Sequence, residues 1–403
     1  MPKNTLLFPP SFVFDTIGAE SGISGLQIAV NNLAVASKSG AMRQAHALGV
    51  GGRNSIKNQN KGMPTLNSLL PTRSVGKYTV ASSIPTGTLG YFLSGWVDAS
   101  DPNSALVATR VERFTFATNT ITNLGSLLTA NMHGGGAIAN PSYGYIAQFT
   151  YLWRMTFQSE SISLLGQRLS FSRYMISNLK NKSRGYFCLG WSSFDGTIYD
   201  IDRFSFSGEV CAGIGTVIQG RAWATGFGNN FNGYLCGGSL NGSIATMLAN
   251  NIERFSYASE SKVDISAILS SARNKGSSWT PGTSFASYLV GGDCNNRFPD
   301  PVNSAVRKFS SNKIDKFTFA GETVALLGVT LPNGRTLFES IGSPARSVLA
   351  GGTTHTDSYS TQNAYALTTQ ITDLTFATEV ATILGATLSI ARYYTVSLDN
   401  SSF

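Results

Sequence analysis

The chain has 403 residues, a formal net charge of +8, 42 glycines and 11% aromatic residues, and only 13% of its side chains are charged. That charged share is about half the usual ~25%, so Ser, Thr, Asn and Gly must make up much of the surface, and they favour strands and turns over helices. The basic residues are scattered without a run of five, which argues against a nucleic-acid partner, and no apolar stretch reaches the ~18 residues of a membrane span.

Residues 1–40 carry no repeat. Pro9 and Pro10 mark an extended arm, and Asn31-Asn32 between two short apolar stretches suits a small hairpin. We read 1–40 as an N-terminal arm, either a docking segment or a tail. Residues 5–8 are too short an apolar run for a secretory leader.

From residue 41 onwards two anchors alternate, and a repeat of this kind decides the fold. The first anchor is an apolar strand ending in glycine: YFLSG at 91–95, YFCLG at 186–190, YLCGG at 234–238, YLVGG at 288–292 and SVLAG at 347–351. ALGVG at 47–51 and a copy without the glycine, YIAQF at 145–149, complete the set. The second anchor alternates aromatic and polar residues: VERFTF at 111–116, LWRMTF at 152–157, IDRFSF at 201–206, IERFSY at 252–257 and IDKFTF at 314–319. VGKYTV at 75–80 and ITDLTF at 371–376 are its divergent copies.

The second anchor ends at residues 80, 116, 157, 206, 257, 319 and 376, so copies lie 36 to 62 residues apart. That spacing suits propeller blades better than β-solenoid coils. Each unit also holds an outer apolar strand and a small-polar strand opened by arginine, as at Arg173, Arg221, Arg273, Arg335 and Arg392. We therefore expect an all-β fold, a closed β-propeller of about seven four-stranded blades over 41–403, with the short N-terminal arm before it. The C-terminal strand, within 388–397, should pair into the first blade and close the ring.

A period of two puts Phe114 and Phe116 on one face and Arg113 and Thr115 on the other. The aromatic face should pack on the adjacent blade. The glycine-ended strand is expected nearest the axis.

Catalytic residues are not indicated. His46, His133 and His355 fall in different units, and His133 is read as a replacement for the strand-opening arginine. Asp200 and Asp202 share a strand face and are read as solubility and pairing groups rather than a glycosidase pair. The stretch 193–196 is a partial match to a sialidase-type turn. Cys188, Cys211, Cys236 and Cys294 lack metal spacing and read as free thiols, and neither a metal nor a cofactor is expected.

Binding has better support. The connections between the two anchors vary most in length, and all should emerge on one face of the ring. That places Trp96, Trp191, Arg297, Phe298, Tyr359 and Tyr365 as ligand-binding candidates, rings beside amides and hydroxyls that suit sugars. For Trp96 and Trp191 an equal reading is that they replace the second glycine of their strand and pack locally.

The units resemble kelch-type propeller repeats, with a glycine pair closing one strand and an arginine opening another, although the spaced Tyr and Trp of standard kelch units is missing from most of them. They look more like a divergent form found in cyanobacterial proteins and in virion proteins of phages infecting cyanobacteria, where segments such as YLVGG at 288–292 and IERFSY at 252–257 alternate. The resemblance covers about residues 41–400 and implies a phage tail or head fibre or other appendage protein, assembled in the host cytoplasm and displayed on the virion. It would bind a host-surface glycan, with other virion proteins as partners through the N-terminal arm. The alternatives are a structural neck, baseplate or capsid component, and, third, a polysaccharide-acting enzyme. A homo-oligomer would suit a fibre, yet no coiled-coil heptads show one.

Overall fold

The computed structural model describes residues 85–401 except 98–108, 130–131, 217–218, 241–247, 280–284, 300–305 and 356–364. Among the described residues there are strands and turns and no helix. Six small antiparallel sheets stand around one axis as the blades of a propeller. Blade 1 runs outward from Val396–Asp399 through Leu89–Leu93 and Arg110–Thr115 to Thr120–Ser126. The inner strands of blades 2 to 6 are Gly136–Ala139, Ser177–Lys180, Thr225–Gly228, Ser277–Trp279 and Glu339–Gly342.

Three expectations change. The ring closes with six blades rather than about seven, because the inner strands of blades 6 and 2 both adjoin Val396–Asp399. The unit expected at 41–80, with its anchors at 47–51 and 75–80, and the arm at 1–40 lie outside the described residues. The last strand is Val396–Asp399, at the end of the segment expected at 388–397, and it pairs with Leu89–Leu93, with Gly90 opposite Asp399 and Leu93 opposite Val396. Pairing the last strand with the first removes two free sheet edges.

The glycine-ended anchor, in turn, forms the second strand of each blade, not the innermost. The innermost strand is the small-polar segment that follows the arginine. Adjacent inner strands run so close that a Cβ on Gly226 would overlap the carbonyl of Asn178. Glycine in the second strand meets a different demand: a Cβ on Gly185 would overlap Ile138, a side chain from the inner strand of the preceding blade.

Finally, His133 does not replace the strand-opening arginine. Gly134 has the left-handed φ that Met175, Trp223, Lys275, Leu337 and Tyr394 show two residues after their arginines. Met132 therefore holds the arginine position, and His133 follows it.

The aromatic anchor forms the third strand and packs as its alternation predicts. Phe114 and Phe116 are buried against Ile341 and Val348 of blade 6. The opposite face joins the following blade through a recurring glutamate. Tyr91 and Arg113 lie side by side in register and both reach Glu160, the Tyr91 hydroxyl donating over 3.1 Å and the guanidinium over 2.8 Å. Tyr145 and Arg154 do the same with Glu209, Tyr234 and Arg254 with Glu322, and Tyr288 and Lys316 with Glu379. Glu260 takes three partners, Arg184, Tyr186 and Arg203. At the blade 6 to blade 1 junction Arg346 instead bonds Asn119.

Buried arginines add a second lock. Arg173 pairs with Asp202, Arg221 with Glu253 at 2.9 Å, Arg273 with Asp315 at 2.8 Å and Arg392 with Glu112 at 2.7 Å, each pair almost fully excluded from water. Breaking such a pair from one side leaves a lone buried charge and costs about 3–5 kcal/mol. Asp202 is thereby occupied, so it does not form an exposed acid pair with Asp200.

Candidate functional site: an aromatic row on the loop face

The connections from second to third strand share one face with the connections between blades. In blade 2 that connection is missing. Its second and third strands are one stretch, Tyr143–Thr156, which doubles back at Phe149, where φ is 53°. Among the described residues the loop face therefore has a gap at blade 2, bordered by blade 1 on one side and blade 3 on the other.

Two aromatic pairs border the gap. The residue after the arginine position pairs with the residue after the glycine pair of the next second strand. This joins Tyr393 to Trp96, with hydrogen bonds of 2.6 and 3.0 Å, and Tyr174 to Trp191, with bonds of 2.8 and 3.0 Å. Both tryptophans thus follow the glycine position rather than fill it: Ser94-Gly95 and Leu189-Gly190 carry the positive φ values of Gly237-Gly238.

His133 links the two pairs. Its ring lies 4.6 Å from Trp96, edge to face, and 6.3 Å from Tyr174. Tyr174 in turn lies 5.3 Å from Trp191 and 6.3 Å from Phe149. Trp96, Phe149 and Tyr151 are 41%, 37% and 40% exposed. Arg168 stacks over Tyr151 at 4.6 Å, at the outer margin of blade 2. Burial pushes His133 below its ordinary value and Tyr174 above its own, so both rings are neutral near pH 7. A neutral row of ring faces, with an imidazole, a phenol and indole N–H groups among them, suits a ligand with alternating apolar faces and hydroxyls.

Of the sequence candidates, Trp96 and Trp191 fall in this row. Arg297 and Phe298 lie on Asp293–Pro299, a strand in the loop of blade 5, and Tyr365 opens Tyr365–Leu367, opposite His355 in the loop of blade 6. The side chains of these three, and the whole of Tyr359, lie outside the described residues. His133, Tyr174 and Phe149 were not singled out as ligand groups. The signal for Phe149 was the missing connection itself; nothing in local spacing marks the other two. The partial sialidase-type stretch is a small hairpin in which Ser192 Oγ accepts from the amides of Phe194 and Asp195, leaving Phe194 91% exposed at its tip.

The fold and this surface define a six-bladed β-propeller with an aromatic loop face. Compared with known proteins, the chain matches no family model and no curated sequence.

Proposed function

We propose that the protein is a binding propeller whose loop face takes a saccharide, and that it serves as the host-recognition module of a phage fibre or appendage. The observation that carries the saccharide reading is the row Trp96, His133, Tyr174 and Trp191 beside the gap in blade 2. Sugar rings stack their C–H faces on such side chains, and their hydroxyls bond the polar atoms between them. The virion context rests on the resemblance of the divergent kelch-like repeat, with residues 1–40 as the segment that docks on other virion proteins.

The test is binding of the full chain to a panel of envelope polysaccharides, read by tryptophan fluorescence and by surface retention. Trp96→Ala and Trp191→Ala should each weaken binding about tenfold or more, in line with the ~1–3 kcal/mol typical of lost aromatic contacts. Retention of no polysaccharide, or binding that both variants leave intact, overturns the reading.

A structural virion role is favoured by a different observation. The outer strands leave Leu164, Ile268, Leu326 and Ile383 about half exposed around the rim, where a neighbouring subunit would cover them.

A further inference from the structure

The six inner strands enclose a cavity of about 180 Å³ on the propeller axis. At the loop-face end the backbone narrows it. Gly134 N donates to Tyr394 O, Tyr394 N to Leu337 O, Leu337 N to Lys275 O, Lys275 N to Trp223 O and Met175 N to Gly134 O, five bonds of a circle around the axis.

The hydroxyls around the cavity are already committed as donors. Ser177 Oγ donates to Ala224 O, Thr225 Oγ1 to Gly276 O, Ser278 Oγ to Gly226 O and Ser340 Oγ to Ser278 O, at 2.6 to 3.2 Å. Each bond ties one inner strand to the next. What these groups still offer the cavity is therefore oxygen lone pairs. Asn178 Oδ1, on the inner strand of blade 3, is a further buried acceptor without a hydrogen bond.

Glu339 completes this acceptor set. It opens the inner strand of blade 6, is half-buried, and accepts hydrogen bonds from the Ser340 amide and from Ser397 Oγ at 3.1 Å, a hydroxyl that also lies 2.9 Å from Ser340 O. No cation among the described residues pairs with it. Asp399 faces Lys180 at 4.0 Å further along the channel, and Lys275 is held by Asp293 at 3.0 Å near the mouth. Once Glu339 is ionised, the channel lining among the described residues carries two carboxylates, Glu339 and Asp399, against one ammonium, Lys180. A local excess of one negative charge sits at the centre of a chain whose net charge is +8.

We propose that the channel binds a monovalent cation, held by the Glu339 carboxylate and the surrounding neutral oxygens. One uncompensated carboxylate matches one positive charge. The crowded carboxylate set that a calcium site uses is missing among the described residues. A bound ion would answer the desolvation of Glu339 and tie the inner strands together at the axis.

The experiment is performed on the full chain. Thermal unfolding is compared in potassium, sodium and choline chloride at equal ionic strength. Crystals are soaked in rubidium or thallium salts for anomalous scattering. We expect a midpoint about 3 °C higher in potassium or sodium than in choline, and an anomalous peak beside Glu339. Glu339→Gln should erase the midpoint difference while unfolding normally in choline. If that variant does not fold, the soak of the unaltered chain still decides. Equal midpoints in all three salts with no anomalous peak overturn the proposal.

Discussion

Met132 and Trp153 share one apolar cluster in blade 2, at the two positions where blade 3 places the ion pair of Arg173 and Asp202. Both members of the pair have changed together. Each of the singly altered states would bury a charge without its partner, whereas the double replacement leaves none. The two junction types thus amount to a natural double substitution within one chain.

Met132→Arg should accordingly lower stability by about 3 kcal/mol or more, since its guanidinium would meet the Trp153 indole. Adding Trp153→Glu should recover part of that loss, a coupling of about 1 kcal/mol or more in the double-substitution cycle. Denaturant unfolding of the four proteins measures it. Purely additive losses would show that the lock is not a unit.

Blade 6 shows the intermediate case. Arg335 is buried with neutral partners, Gln370 and Thr372, and desolvation lowers it to about 10. Thr372 stands where blades 1 and 4 carry Glu112 and Glu253. Thr372→Glu should supply the missing carboxylate and stabilise the fold by about 1 kcal/mol, a midpoint rise of about 2–4 °C. A fall in the midpoint would mean that the extra side chain does not fit beside Gln370.

The strand alternation of Phe114 with Arg113 was legible because a period of two needs no tertiary knowledge. The blade count was not. It depends on how far each blade rotates from the last, and that follows from volumes such as Ile138 set into the space over Gly185, which the repeat pattern does not contain. The glutamate lock left a trace, since Glu160, Glu209, Glu260, Glu322 and Glu379 each stand three residues past the aromatic anchor. It reads as a turn residue until the neighbouring blade is present. In the candidate site Trp96 and Trp191 were legible as loop-edge rings. His133 and Tyr174 were not, because they reach them from the connections between blades.

Glu260 is the best-connected of these glutamates, with two guanidinium groups and the Tyr186 hydroxyl, which burial and Glu260 push up to about 12. The ion pairs are about a third exposed, so solvent screening limits each of them. Glu260→Gln should cost about 1 kcal/mol. Glu379→Gln, which loses one lysine contact, should cost less. Urea unfolding of both variants tests the order, and the reverse order would assign the stability to the turn rather than to the lock.

Burial pushes Glu339 up to about 7 from an ordinary value of 4.5. A raised folded value means that the fold favours the protonated carboxyl. This contribution to stability is complete below pH 4.5 and is lost as the pH rises through 7. In choline chloride the chain should lose stability across that window, and Glu339→Gln should remove the part of the slope that Glu339 causes. An unchanged slope in the variant would place the titrating group elsewhere. Of the other ionisable groups, Lys180 and Asp399 lie further along the channel, and Lys275, paired with Asp293, stands at its mouth.

The gap in blade 2 offers a test that leaves every ring in place. A flexible glycine-serine loop inserted between Phe149 and Thr150 would lengthen the tight turn to the size found in blades 4 and 5 and cover the aromatic row. Loop closure grows only slowly with length, by about 0.6 kcal/mol for each doubling, and the insertion falls at a surface turn, where added residues are tolerated. The unfolding midpoint should therefore move little while polysaccharide binding is lost. Binding that survives the insertion would move the contact surface away from Trp96 and Trp191 to another part of the propeller.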